Sequence, residues 1–142
     1  MSKRLVENFL YGELTYKIRG AMYKVHQTLG SGHKERVYHK ALAWEFELRN
    51  ILFKTEVTLP VVYESVKVGI YRPDFIVDDK VLIEFKAVPI LPNQADRQLS
   101  YYLRGTKYRL GLLVNFGSSS LLVKRKIWDQ NRLNQQKSVK SV

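Results

Sequence analysis

The sequence contains no cysteine, which excludes a disulfide framework, a thiolate zinc site and a cysteine nucleophile. Histidine is scarce as well: His26, His33 and His39 are the only three. His26 and His33 do not make a metal pair on their own, since only His39 could support them, so those two read as surface or packing residues, and no general base is assigned. No apolar stretch approaches the length that spans a bilayer. The N-terminal MSKRLVENFLYGEL lacks the apolar segment and small-residue cleavage site of a secretory leader. The expectation is a soluble, unprocessed, cytoplasmic protein with no membrane partner. Negative charge is also in short supply, with 13 Asp and Glu against 24 Lys and Arg, a formal net charge of +11. Such an excess favours a polyanionic partner, because neutralising phosphates releases condensed counterions. Many basic proteins bind nothing in particular, so charge alone does not decide the matter.

What is present is the composition of one globular domain: 142 residues, 45% hydrophobic and 26% charged. Residues 1–128 are read as that domain, and 129–142 as a basic, flexible tail. From Lys124 to Val142 six basic residues meet one acid. Lys124, Arg125 and Lys126, at the start of this run, are candidate phosphate contacts of the non-specific kind.

Periodicity supplies the elements. Leu14, Ile18, Ala21, Met22, Val25 and Leu29 recur at helical spacing between Glu13 and Leu29, with Gly30 placed to end the helix. A second helix is predicted from about His33 to Arg49, burying Val37, Tyr38, Ala41, Leu42 and Phe46 and stopping near Asn50. LFKTEVTL, VVYESVKVGI, RPDFIV and KVLIEFKA then read as strands. Asn93–Leu103 is predicted helical with Asn93 as N-cap, and YRLGLLVNFG and SLLVKRKIW as two further strands around GSSS. The order α-α-β-β-β-β-α-β-β points to an α/β or α+β fold whose mixed sheet is flanked by helices.

Within this pattern the segment YRPDFIVDDKVLIEFKA, Tyr71 to Ala87, poses a puzzle. Its second strand is apolar yet carries Glu84 and Lys86, which share a face with Leu82, while Val81, Ile83, Phe85 and Ala87 take the other. A solvated sheet face would explain two charges, but Leu82 on the same face weakens that explanation. Asp74 begins the preceding strand, and hairpin register decides where it lies. A two-residue loop would set it opposite Ile83. A three-residue loop at Asp78, Asp79 and Lys80 pairs Val77 with Val81 and brings Asp74 opposite Glu84, with Cβ atoms roughly 5 Å apart. The second register is the one expected, with Asp79 or Lys80 in the left-handed conformation. Two carboxylates that close repel, and a divalent cation removes the repulsion. Mg²⁺ (or Mn²⁺) suits Asp74 and Glu84, with the Phe85 carbonyl as third ligand. Lys86 then stands where its ammonium can orient or help deprotonate a bound water and offset charge on a phosphate. Arg72, next to this site in sequence, is either a phosphate contact or an ordinary exposed arginine.

Pro73-Asp74 followed by Glu84-Phe85-Lys86 resembles the PD-(D/E)xK signature of the restriction-endonuclease-like nucleases. GHKERVY, residues 32–38, is similar to the motif that names the GxxExxY family of that superfamily. Gln98-Leu-Ser-Tyr-Tyr102 resembles the Q-x-x-x-Y motif of RecB-like nucleases, and LGLLVNFG, 110–117, the strand expected next. The likeness covers roughly Leu14 to Trp128, with the motifs in the right order.

The resemblance implies a restriction-endonuclease-like core and a metal-dependent nuclease acting on nucleic acid, DNA more than RNA, by attack of a metal-activated water that leaves 5′-phosphate and 3′-hydroxyl ends. It implies that Glu35 is an additional metal-site carboxylate; an acid in a first helical turn is also favoured by the helix dipole alone. It implies that Gln98 borders the site, contacting metal-bound water, phosphate or Lys86. Tyr102 either borders the site as a nucleic-acid contact or simply packs in the core. A homodimer would let one site per chain cut both strands of a duplex. The competing function is a basic nucleic-acid-binding module without catalysis, although a pure binder gains nothing from two acids facing a polyanion.

Overall fold

The computed structural model describes residues 10–128; the predicted tail at 129–142 lies outside the described residues. The chain begins with two helices, α1 (Gly12–Leu29) and α2 (Glu35–Leu48). Ile18, Ala21, Met22 and Val25 of α1 and Tyr38, Leu42 and Phe46 of α2 are buried. Val37 does not join that stripe: it is 40% exposed, because residues four apart already complete the narrow face that α2 turns to the core. Gly30 ends α1 with φ 70°, its N–H bonded to the His26 carbonyl at 2.7 Å. Asn50, with φ 56°, closes α2.

Strands β1 (Phe53–Lys54), β2 (Leu59–Tyr63), β3 (Val66–Tyr71), β4 (Phe75–Val77) and β5 (Val81–Lys86) follow. Helix α3 (Asn93–Gly105), β6 (Leu110–Asn115) and β7 (Leu122–Ile127) complete the described chain. Two expected strands resolve differently. VVYESVKVGI is a hairpin rather than one strand, because Glu64 and Ser65 take φ 47° and 67°, the successive left-handed pair that a tight hairpin turn needs. LFKTEVTL is extended only at its ends, interrupted at Glu56 by φ 59°. At α3, Pro92 rather than Asn93 holds the N-cap position, in extended conformation and without a side-chain cap bond.

The main sheet has the order β1-β4-β5-β6-β7, and β2-β3 forms a separate ribbon. β5 and β6 run parallel, joined through α3, and the remaining neighbours are antiparallel. Both faces of the sheet are covered. Val81, Ile83 and Phe85 of β5 pack with Leu110, Leu112 and Val114 of β6 against α1 and α2. On the opposite face, Leu82 meets Leu103, and Leu113 meets Ala95 and Leu99. β5 is therefore buried on both faces as far as Ile83 and leaves the apolar layer only at Glu84 and Lys86, which are half-buried.

Candidate active site

The hairpin has the three-residue turn. Val77 pairs with Val81, Ile76 with Leu82 and Phe75 with Ile83, so the next step of the same register sets Asp74 opposite Glu84. Asp78 and Asp79 both take φ 51°; the left-handed stretch is thus two residues, starting one earlier than expected, and Lys80 is not part of it. Because β4 begins only at Phe75, residues 84–86 of β5 have no strand partner on that side, while Glu84, Phe85 and Lys86 pair with Leu113, Val114 and Asn115 of β6 on the other. Asp74 fills part of the open edge: the Phe85 N–H donates to its Oδ2 at 2.7 Å. Strand geometry turns the Phe85 carbonyl to that same edge. The Lys86 carbonyl points the other way and accepts the Phe116 N–H at 2.9 Å.

Glu84 is the most constrained acid of the group. The Tyr71 hydroxyl donates to its Oε1, and the Tyr71 ring lies on that of Tyr102 with centroids 3.7 Å apart and planes 7° from parallel. Burial first, and the Asp74 carboxylate second, push the Glu84 carboxyl up to about 7, against the opposing pull of the Tyr71 hydrogen bond and the Lys86 ammonium. Burial first, and then the Glu84 carboxylate that its hydroxyl meets, raise the Tyr71 phenol above its ordinary value, so it remains a donor. Among the described residues no ion pair neutralises Asp74 or Glu84, and Lys86 makes none either.

A cleft of about 270 Å³ opens between β3, β5 and α3, lined by Tyr71, Arg72, Glu84, Lys86, Gln98 and Tyr102 among others. Five sequence-predicted residues, Arg72, Glu84, Lys86, Gln98 and Tyr102, thus share one cavity, with Asp74 at the neighbouring strand edge. Arg72 is exposed and also reaches Thr58 Oγ1 at 3.3 Å.

Glu35 comes from the α2 side. The loop before it is held by Gly32, whose φ is 104°, and by buried Tyr38. The Tyr38 hydroxyl donates to the Gly30 carbonyl at 2.5 Å and accepts the His33 N–H at 3.2 Å. Glu35 is exposed; partial desolvation and then Asp74 raise its carboxyl, while Lys86 and His39 draw it down. It therefore lies within electrostatic reach of the site. Among the described residues, no group of three or more Asp, Glu, His or Cys side chains is gathered as a metal cluster. Asp74 and Glu84 remain as the close pair, with the Phe85 carbonyl beside them.

Lys124, Arg125 and Lys126 lie two strands from β5, on β7. Lys124 and Lys126 pair with Asp96 of α3, the first at 3.4 Å. Arg125, on the other face, bonds Thr15 Oγ1 at 3.4 Å and the Leu10 carbonyl; burial lowers its pKa.

Three site neighbours escaped the sequence reading. Tyr71 has no local signature, since its role depends on register. His39, four residues after Glu35 and so on the same helical face, places Nε2 3.3 Å from the Asp74 carbonyl and stacks on Phe75 at 4.4 Å. Asn115, the lone polar side chain in LGLLVNFG, was the readable one. It is buried, accepts the Val88 and Gly117 N–H groups at 3.1 Å each and donates to the Val88 carbonyl at 2.9 Å. Gly117 is needed there, because a Cβ would lie 2.3 Å from the Val88 nitrogen. This clamp ties the end of β6 to the chain leaving Lys86.

The family model of the PD-(D/E)XK nuclease superfamily matches residues 12–126. The chain belongs to that superfamily. No curated protein and no solved structure matches it. The matched span includes Pro73, Asp74, Glu84 and Lys86, and it contains every element from α1 to β6 and nearly all of β7. The mixed five-stranded sheet with helices on both faces agrees with a restriction-endonuclease-like fold of this superfamily. No helix among the described residues is long and apolar enough to cross a membrane.

Proposed function

We propose that this PD-(D/E)XK protein is a divalent-metal-dependent nuclease that hydrolyses phosphodiester bonds, with DNA favoured over RNA. Within the superfamily we assign it to the GxxExxY branch, on Gly32, Glu35 and Tyr38. One observation carries the reading: Asp74 and Glu84 are paired across a strand edge with no ion pair among the described residues to neutralise them, and Lys86 shares the cleft with Glu84. The donor set suits a hard cation, since two carboxylates and a carbonyl are the few protein oxygens that Mg²⁺ or Mn²⁺ takes while keeping several waters. Asp74, Glu84 and the Phe85 carbonyl would hold it, with Glu35 acting from the outer side. When bound, the cation would lower the pKa of a coordinated water and offset phosphate charge.

The chain's own groups supply the rest. Lys86 orients the attacking water and steadies negative charge on the phosphoryl oxygens. Gln98 holds water or phosphate across the cleft, and Arg72 takes a phosphate at its mouth. Arg72 and Lys86 line the cleft in a chain of net charge +11, so binding is salt-sensitive. A cytoplasmic location and a homodimer that cuts both strands belong to the same reading.

The test is incubation of labelled linear, circular and single-stranded DNA and RNA with Mg²⁺, Mn²⁺ or EDTA, beside K86A. Cleavage of DNA that requires metal and Lys86 is the expected result. Undiminished cleavage in excess EDTA would refute the metal role, and salt-sensitive binding without any product would select the binding-module alternative.

A further inference from the structure

Tyr102 lines the cleft, and one face of its ring is covered by another ring. The Tyr71–Tyr102 stack, 3.7 Å between centroids and 7° from parallel, places Tyr71 between the helix and the carboxylate. Tyr71 is 5% exposed and donates its hydroxyl to Glu84 Oε1. A carboxylate has two oxygens, and this bond occupies Oε1 of Glu84 and restricts the rotation of the group. The same tyrosine ends β3, where it pairs with Leu59, and lies three residues before Asp74 through the buried Pro73. One ring therefore sits at the junction of the ribbon, the Asp74 connector, α3 and Glu84. Gln98, one helical turn before Tyr102, is exposed and lines the same cleft.

We propose that Tyr71 is a positioning residue for the metal-holding carboxylate Glu84, and that Tyr102 acts on the site through its stack on Tyr71 rather than by contacting nucleic acid. This rests on the reading of Glu84 as a metal ligand. The two residues of the Q-x-x-x-Y pattern then divide their work: Gln98 addresses the cleft, and Tyr102 braces the residue that aims the acid. Partners of this kind, one shell out from a metal, typically change affinity or activity by about 10–100-fold when removed.

The test is calorimetric titration of the full chain with Mn²⁺, with circular dichroism to confirm the fold of each variant. Y71F deletes only the hydroxyl and is expected to weaken Mn²⁺ binding about 10-fold. Y102A removes the brace and should weaken binding in the same direction, whereas Y102F keeps the ring and should restore most of the affinity. In the Y71F background Y102A should add little, because both losses pass through one hydrogen bond. A folded Y71F that binds Mn²⁺ as tightly as the wild type, while E84Q does not, overturns the tyrosine proposal alone. Y102F as damaging as Y102A overturns the stacking route and assigns the Tyr102 hydroxyl a direct role. E84Q with wild-type affinity overturns the metal reading, and the tyrosine proposal with it.

Discussion

The β4–β5 hairpin carries a pair of acids at each end, and their surroundings treat them in opposite ways. At the turn, Asp78 pairs with Lys80 at 3.2 Å, and Asp79 with Lys107 at 3.1 Å and the Tyr108 hydroxyl at 2.6 Å. The Tyr108 hydrogen bond, followed by Lys107, holds the Asp79 carboxyl below its usual range. At the open end, Asp74 and Glu84 receive hydrogen bonds from the Phe85 N–H and Tyr71, but no ion pair among the described residues. Burial and mutual repulsion push Glu84 up to about 7. Neutralised acids of this kind hold a turn. The acids at the other end have their hydrogen bonds made and their charge unmet, which is what a site awaiting an external cation needs.

Activity should separate the two ends most sharply. K86A is expected to lose about 10²–10⁴-fold in cleavage rate, and D74N and E84Q should be comparably damaged, with their folds intact by circular dichroism. D79N at the turn should cleave at the wild-type rate. Equal loss in D79N would show that the two acid pairs do not differ in the way their surroundings suggest.

Stability should then move in the opposite sense. Glu84 has a folded pKa of about 7 against an ordinary 4.5, so the folded state binds the extra proton between those values. Its contribution is fully present below about pH 4.5 and is lost as pH rises through about 7. In EDTA the protein should therefore lose about 1–3 kcal/mol between pH 5 and pH 8 from this group. E84Q should flatten that part of the profile, and D74N should reduce it by removing the second cause of the shift. Both variants should melt above the wild type at pH 8 in EDTA despite being inactive, and Mg²⁺ should stabilise the wild type more than either. Thermal melts across pH with and without metal measure this; a wild-type profile flat from pH 5 to pH 8 would remove the electrostatic basis of the comparison.

The sequence made the open end legible because strand alternation and loop length are discrete. Once Val77 faces Val81, Asp74 has no choice but to face Glu84, and Leu82 on the same side implies cover by another layer. The helices were readable from their buried faces, and Gly30 and Asn50 from their left-handed conformations. The ribbon was less so: Glu64-Ser65 is not a pair whose side chains favour positive φ, and its conformation follows from the pairing of the flanking strands. Tyr71 was invisible for a related reason. Its partners, Glu84 and Tyr102, lie 13 and 31 positions away in sequence, and no local periodicity encodes a contact between three separate elements.

The smallest effect belongs to the turn itself. The Lys107–Asp79 pair is mostly exposed, at 67% and 69% of the side chains, so the gain from opposite charge is offset by side-chain ordering and screened by solvent. K107A should cost within about 1 kcal/mol, and that cost should vanish in 1 M NaCl, where the Debye length falls to about 3 Å. The repulsion at the other end is partly buried and should persist in the same salt, leaving D74N still stabilising in EDTA. Urea melts of K107A and D74N at low and high salt place the two side by side. A D74N gain that disappears with salt as readily as the K107A loss would mean that Asp74 and Glu84 are as well solvated as the turn, and that their raised energy is not held in the fold.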